Sequence, residues 1–276
     1  DIKMTNLRIL GICFIVLSAV LLASAQSQPV KRTLTKTDKL DFSSGGTLTV
    51  TGAPNGSIRI VGSPKNEIEI VATVEIEASS ETDFAKLGEI TGFVTSESVI
   101  RVAVGSIGPH NKFGLKKLPK DFPKGLLTVP FRIDYVINVP RYTDLEIDGG
   151  KGDLSVTGVE GSMRINYLDT KGYIEVIGGN TVVTAGSGSL DIAFGVRGWR
   201  GRSANVNLGS GTLAVRLPLS SHTKILENGS ASEGSPATRR SRRSPTRVMA
   251  GTDPLTRPTS RPMADMESFN VMAVME

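Results

Sequence analysis

The chain has 276 residues, of which 39% are hydrophobic and 21% are charged, with 30 glycines, one cysteine, two histidines and a formal net charge of +5. This apolar fraction is sufficient for a folded core, which excludes a wholly disordered or collagen-like chain. A single cysteine excludes a disulfide framework, and two histidines leave little material for a histidine-based metal site.

The first 25 residues have the pattern of a secretory signal peptide. Lys3 and Arg8 precede an apolar run over 9–22, and Ala23–Ala25 places small residues where signal peptidase cleaves. Cleavage before Gln26 is expected, and the alternative is an uncleaved anchor. The run is shorter than the ~20 residues that a membrane span needs, so no stable transmembrane span is expected after cleavage.

Residues 26–39 are interpreted as a linker, and residues 40–226 as an all-β domain. In 66–78, NEIEIVATVEIEA, aliphatic side chains occupy alternate positions and glutamates the positions between them. This period of two is typical of a strand with one buried face and one solvated face. The only helix expected is short, begins at a cap formed by Ser80 with Asp83 three residues on, and ends at Gly88.

A long basic segment follows, from Gly105 to Gly125. It carries five lysines interleaved with Phe and Leu, namely Lys112, Lys116, Lys117, Lys120 and Lys124. Connections of this length inside a compact domain are often functional. The segment is a candidate for docking onto anionic lipid head groups or acidic glycans. The alternative is a lid whose apolar side chains cover the core while the lysines stay solvated.

Short apolar pairs separated by glycines begin after Pro140. They recur as Leu145/Ile147, Leu154/Val156, Met163/Ile165, Ile174/Val176, Val182/Thr184, Leu190/Ile192, Val206/Leu208 and Leu213/Val215. Strands this short are stable only when they stack on like neighbours. The pattern favours a right-handed β-helix or β-solenoid-like fold with a strand-rich N-terminal half. The alternative is a rolled antiparallel β-sandwich.

The longest gap between these pairs contains GVRGWRGRS, where three arginines flank the only tryptophan. Arg197, Trp199, Arg200 and Arg202 therefore form a second candidate binding site. An indole ring offers a stacking face for a sugar, and guanidinium groups bind carboxylate or phosphate. The alternative is a half-buried tryptophan that closes a corner of the fold.

The order IDYVINVP, DLEIDGGKGDLSVTGVEGSMRINYLDTKGYIEV, VTAGSGSLDI and LGSGTLAV resembles the bacterial "putative adhesin" family of unknown function. The resemblance covers roughly residues 40–219. It implies an exported, β-helix-like domain at the cell envelope, and it carries no catalytic residues. After Leu226 the sequence departs from the family pattern, in which further repeats would follow.

The last fifty residues differ in composition from the rest. Residues 227–276 contain seven Arg and no Lys, and they are interpreted as a disordered Arg/Ser/Pro-rich tail or as the product of a shifted reading frame. A basic arm that binds an anionic surface is the third alternative.

These observations predict an exported binding module without catalysis, cofactor or metal, located in the periplasm, at the cell surface or in the medium. Its expected partners are anionic envelope glycans, lipid head groups or another envelope protein, and no nucleic acid is expected. No serine nucleophile motif accompanies His110 or His222, so a catalytic triad has no support. A structural or regulatory periplasmic protein is the alternative, and a polysaccharide-acting β-helix enzyme is a lesser one.

Overall fold

The computed structural model describes residues 31–111, 116, 118–195 and 199–217, and the backbone alone of 30, 223–231 and 266–275. These residues form fourteen strands of one mixed sheet, one α-helix, α1 (Glu81–Ile90), and a 3-10 helix at Lys124–Thr128. The strands are β1 (Val30–Asp41), β2 (Thr47–Thr51), β3 (Ile58–Ser63), β4 (Glu67–Ala78), β5 (Gly92–Glu97), β6 (Arg101–Ile107), β7 (Phe131–Pro140), β8 (Asp144–Lys151), β9 (Leu154–Thr157), β10 (Met163–Val176), β11 (Thr181–Phe194), β12 (Ser203–Arg216), β13 (Thr223–Ala231) and β14 (Met266–Met275).

The sheet has two branches that join at the long strands. The front branch runs β5-β6-β2-β8-β10, and the back branch runs β1-β4-β7-β3-β9-β10. The first half of β10 pairs with β8 and its second half with β9, so one strand belongs to both branches. The inward side chains of both branches form a single hydrophobic core, and this burial is the main stabilising term of the fold.

The expected all-β class with one short α-helix is confirmed, but a β-helix is not. Met163 pairs in parallel with Leu145 and with Thr181, each 18 positions away, as stacked coils would. However, β1, β4 and β7 pair antiparallel, as do β5 and β6, so the sheet is mixed and nearly closed. The rolled antiparallel alternative likewise describes only these strands and the pairing of β14 with β12 and β13.

The two branches meet at a corner lined by a file of glycines. Gly56, Gly152, Gly188 and Gly211 all have positive φ angles. At each of them an added Cβ would overlap a backbone carbonyl oxygen of the neighbouring strand or turn. The corner therefore depends on residues without a side chain, which explains part of the glycine excess of the composition.

Helix α1 begins as expected and ends two residues later than expected. The Ser80 hydroxyl accepts a hydrogen bond from the Asp83 N–H at 3.1 Å, which caps the first turn. The Thr91 N–H donates to the Leu87 carbonyl, so the helix continues through Gly88 to Ile90. Burial of Leu87 and Ile90 against the core accounts for the extra residues.

The seam between the end strands β1 and β5 is closed by side chains. Thr95 Oγ1 donates to Asp38 Oδ2 at 2.9 Å, and Lys36 Nζ donates to the carbonyls of Gly88 and Thr91 near the end of α1. Charged residues that point inward from an edge strand discourage pairing with another chain.

Strand β1 occupies most of the segment 26–39 that was interpreted as a linker, and it pairs with β4 from Val30 to Asp41. Leu34 and Leu40 are its only large apolar residues after Val30, which explains why the sequence pattern there is weak. Within the stretch interpreted as a tail, 227–231 and 266–275 have strand backbone, and β14 pairs with both β12 and β13. The signal peptide and the rest of the tail lie outside the described residues.

Strand β4 carries its glutamates outward, where they pair with lysines. Glu67 receives Lys39 Nζ at 2.8 Å on one carboxylate oxygen and Lys65 Nζ at 2.9 Å on the other. Hydrogen bonds from Lys39 and then Lys65 lower the pKa of Glu67 from its ordinary value of 4.5 to about 2.

We expect this depressed pKa to give one acid-dependent contribution to stability. A carboxylate whose pKa is lower in the folded state stabilises the fold above pH 4.5, and this contribution is lost as the pH falls toward 2. An NMR titration of the Glu67 side chain should give a midpoint near 2. The Glu67→Gln variant should show a shallower loss of stability over the same window. A midpoint near 4.5 would contradict the pairing.

Candidate functional site

Two of the described apolar side chains of the basic segment lie against the core. Leu118 and Phe122 are partly buried and pack on the core cluster, whereas Lys116, Lys120 and Lys124 are exposed. Lys112 and Lys117 lie outside the described residues. The described part has the arrangement of a solvated lid, and docking by its lysines stays a prediction.

His110, near the start of this segment, stacks on Phe131 with 5.2 Å between ring centroids. Burial lowers the pKa of His110 below its ordinary value of 6.5, so the ring is neutral at pH 7. The histidine therefore adds no positive charge to the lysines at that pH.

The second sequence candidate is divided between the core and the surface. Trp199 is only 3% exposed and packs edge-to-face on Phe194, with 5.0 Å between ring centroids. Its ring offers no stacking face to a sugar in this conformation. Arg202 is exposed, and Arg200 is exposed and approaches Glu160 at 3.5 Å. Arg197 lies outside the described residues, and ligand binding by these arginines stays a prediction.

The structure also assembles a polar surface that the sequence patterns do not predict. We call it the front face: the outward side chains of β2, β8 and the first halves of β10, β11 and β12. Parallel in-register pairing places them in two columns, Thr51-Asp148-Asn166-Thr184-Asn207 and Thr49-Glu146-Arg164-Val182-Asn205. Neighbouring members of a column are about 4.8 Å apart, the spacing of adjacent strands.

Hydrogen bonds along the columns fix several of these side chains. Asn166 Nδ2 donates to Asp148 Oδ1 at 2.8 Å. Glu146 accepts hydrogen bonds from Arg101 Nη1 at 2.8 Å and from Thr49 Oγ1 at 3.0 Å. A surface held in this way loses little conformational entropy when it binds a ligand.

A shallow depression of about 400 Å³ lies at one end of the front face. Its polar lining combines two carboxylates, a guanidinium, an amide and two hydroxyl groups, from Asp144, Glu146, Arg164, Asn180, Thr47 and Ser162. Val182 adds an apolar contact. Asp144 Oδ1 accepts the Ser162 N–H at 2.6 Å, which fixes that carboxylate. Arg164 and Asn180 are exposed and supply donors to a ligand.

This chemistry suits a ligand that carries many hydroxyl groups. Donors and acceptors alternate over short distances, and charges of both signs are present, which matches hydrogen bonding to a sugar polymer. Among the described residues, no group of three or more His, Cys, Asp or Glu side chains is placed to hold a metal ion.

A second depression, of about 570 Å³, lies at the seam between β1 and β5. Its charged side chains, Lys36 and Asp38, make the hydrogen bonds that close the seam. We therefore assign this depression to the closure of the sheet rather than to a ligand.

Sequence reasoning missed the front face because its members are ordinary polar residues at the outward positions of separate strands. At Val182 the expected orientation is wrong: Thr181 and Val183 are buried, and Val182 is 41% exposed. Apolar side chains at two consecutive positions made the alternation ambiguous there. The only signal in the sequence is the recurrence of Asp, Asn and Thr at equivalent places in successive repeats.

No family model matches the chain, and no curated protein matches it. In the described part of the chain, no helix combines the length and apolar character needed to cross a bilayer.

Three solved structures have distant likeness to the chain. A putative cell adhesion protein from Clostridium sporogenes has 12% identity and a TM-score of 0.26, with 72% of this chain and 76% of that chain covered. A putative lipid binding protein from Parabacteroides distasonis has 16% identity and a TM-score of 0.22, with 58% and 62% covered. A putative adhesin from Bacteroides fragilis has 16% identity and a TM-score of 0.21, with 68% and 96% covered. With TM-scores below 0.5, these likenesses carry no argument about fold or function.

Proposed function

We propose that this protein is an exported binding module of a bacterial cell envelope, and that it binds an envelope glycan on the front face without catalysing a reaction. The observation that carries the proposal is the depression lined by Asp144, Glu146, Arg164 and Asn180 beside two in-register polar columns. The columns continue past the depression across five strands, so the surface suits an extended polymer better than a single small molecule.

The absence of catalysis is part of the proposal and rests on how the carboxylates are held. Glu146 is bound by Arg101 and Thr49, and Asp144 by the Ser162 N–H. A general acid must be able to turn its carboxyl group toward the bond that is cleaved, whereas these hydrogen bonds already hold both carboxylates in place. The environment of Glu146 therefore favours binding over acid catalysis.

The finer description of the fold and its location also belongs to this proposal. Parallel pairing between positions 18 apart supports a β-helix-like stack for the part from β8 to β11. The signal-like pattern over 1–25 supports export to the periplasm, the cell surface or the medium. The exposed lysines of the basic segment support a preference for anionic glycans, because each adds long-range attraction that salt weakens.

We expect the full chain to be retained on an insoluble envelope glycan through Arg164. The probes are peptidoglycan sacculi and beads coated with lipopolysaccharide, with retention measured by sedimentation. Loss of one charged hydrogen-bond donor should weaken binding roughly tenfold or more. When both proteins are diluted in steps, the Arg164→Ser variant should therefore leave the glycan at a smaller dilution than the unchanged chain does.

The matched control is Arg59→Ser, because Arg59 is also an exposed arginine on a strand but lies on the back branch. Equal retention of both variants, or no retention of the unchanged chain on either probe, would overturn the glycan proposal. Failure on every glycan with a normal fold would favour the structural or regulatory alternative. Release of soluble products from uronic-acid polymers would instead favour the enzyme alternative.

A further inference from the structure

The turns that precede six strands lie along one edge of the sheet. Strands β6, β2, β8, β10, β11 and β12 are successive parallel neighbours, so their first residues meet at the same edge. The described residues that precede these strands are called the turn edge. They are 98–100, 43–46, 141–143, 158–162, 177–180 and 199–202.

Three large apolar side chains project from the turns before β6 and β8, which lie on either side of the turn before β2. Val99 is 99% exposed, Ile100 is 72% exposed and Tyr142 is 54% exposed. Their turns are fastened to the same stretch of backbone, since the Thr47 N–H donates to the Ile100 carbonyl at 2.8 Å and the Gly45 N–H to the Tyr142 carbonyl at 2.7 Å. We call these three side chains the apolar tip.

Turn chemistry does not explain the apolar tip. Val99 and Ile100 form the connection between β5 and β6, which is closed by a hydrogen bond from the Ser98 N–H to the Arg101 carbonyl at 2.8 Å. Such tight connections favour Asn, Asp and Gly, and β-branched residues are poorly suited to them. A group of exposed apolar residues indicates an interaction site more often than a single exposed apolar residue does.

The charged residues of the turn edge are mostly positive. They are Arg141, Glu160, Arg200 and Arg202. Arg141 Nη1 lies 4.0 Å and Arg200 Nη1 lies 3.5 Å from the carboxylate of Glu160. Two guanidinium groups share that one negative charge, and Arg202 is exposed, so the edge carries a net positive charge beside its apolar tip.

We propose that the turn edge docks onto a membrane surface that contains anionic lipid. The apolar tip enters the interfacial region of the bilayer, where aliphatic side chains gain by burial and tyrosine is favoured. The arginines lie against the lipid phosphates, which guanidinium groups bind well. This surface is distinct from the front face and goes beyond the glycan proposal.

The size of the apolar tip favours a lipid over a folded protein partner. A stable protein interface buries about 800 Å² on each partner, far more than three side chains on two turns provide. A bilayer needs no complementary shape, and a short apolar tip combined with basic groups is the usual basis of peripheral membrane binding.

The experiment is flotation of the full chain with vesicles of phosphatidylcholine alone or mixed with phosphatidylglycerol. The unchanged chain should float with the mixed vesicles, and more salt should reduce this binding. The double variant Val99→Ser/Ile100→Ser should bind the mixed vesicles roughly tenfold or more weakly. The double variant Arg200→Gln/Arg202→Gln should lose about fivefold per arginine.

The control variant is Leu168→Ser, because Leu168 is a comparably exposed apolar residue in the middle of β10, far from the turn edge. It should bind like the unchanged chain. Thermal unfolding of all variants should coincide, since the replaced side chains are exposed. The apolar run at 9–22 and the arginines of 227–276 are present in every variant, so any membrane binding by these segments is the same in all of them. Equal flotation of all variants would therefore assign binding to those segments and overturn the proposal, as would binding that does not depend on phosphatidylglycerol.

Discussion

Gly188→Ala should be among the most destabilising single substitutions in this protein, with a loss of about 3 kcal/mol or more in the free energy of unfolding. Two costs combine at this position. Gly188 has a φ of +120°, which an alanine adopts only with strain, and the added Cβ would overlap the carbonyl oxygen of Thr170 on β10. Because this carbonyl belongs to β10, which pairs with β11, it cannot move without disturbing the hydrogen bonds between these strands. Urea unfolding followed by circular dichroism measures the loss.

Gly45→Ala is the matched control for the conformational cost alone. Gly45 also has a positive φ, of +89°, but no atom lies within 4 Å of an added Cβ. This variant should lose only roughly 1–2 kcal/mol. If Gly188→Ala costs no more than Gly45→Ala, the corner does not depend on the close approach of the Gly188 backbone to the Thr170 carbonyl.

Trp199→Ala should cost about 3–5 kcal/mol, because Trp199 is a core residue. The indole is buried against Phe194, and its removal would leave a cavity between the second half of β11 and the turn before β12. Chemical unfolding followed by far-ultraviolet circular dichroism is suitable, since the only tryptophan is lost. Arg200→Ala, at the exposed neighbouring position, should stay within roughly 0.5 kcal/mol of the unchanged chain.

The fluorescence of the unchanged chain tests the same assignment independently. Emission from Trp199 should be blue-shifted and poorly quenched by acrylamide, and envelope glycan fragments should leave it unchanged. Red-shifted emission with full quenching, together with a small loss of stability in Trp199→Ala, would contradict this assignment. Trp199 would then be a surface residue and again a candidate for ligand binding.

The repeats could be predicted because burial leaves a local pattern in the sequence. Leu145/Ile147, Leu154/Val156 and Met163/Ile165 are all buried, as their alternation indicates. The Ser80 cap of α1 could be predicted for the same reason, since the hydroxyl and the N–H that it satisfies are three residues apart.

Pairing between distant strands could not be predicted, because no local pattern records it. The polar strand β1 joins β4 antiparallel along its whole length, and its alternating Thr and Lys resemble a solvated linker. The antiparallel outer strands also make the sheet mixed, which the glycine-separated repeats after Pro140 give no reason to expect.

The candidate site depends even more on register. Thr49, Glu146 and Arg164 are far apart in sequence, and they become neighbours only because β2, β8 and β10 align without a shift. A one-residue slip would turn these side chains into the core. For Trp199 and its arginines, the sequence gives the composition of the loop but not which side chains face inward.

The constant offset of 18 residues between β8, β10 and β11 has a consequence for how such a chain can evolve. Duplication of the stretch 145–162 would add a complete layer that keeps a glycine, Gly152, at the corner and whose core positions and outward columns match those on either side. Deletion of one layer would be equally conservative. The length of the front face can therefore change by unequal recombination within one gene while the cross-section of the protein stays the same.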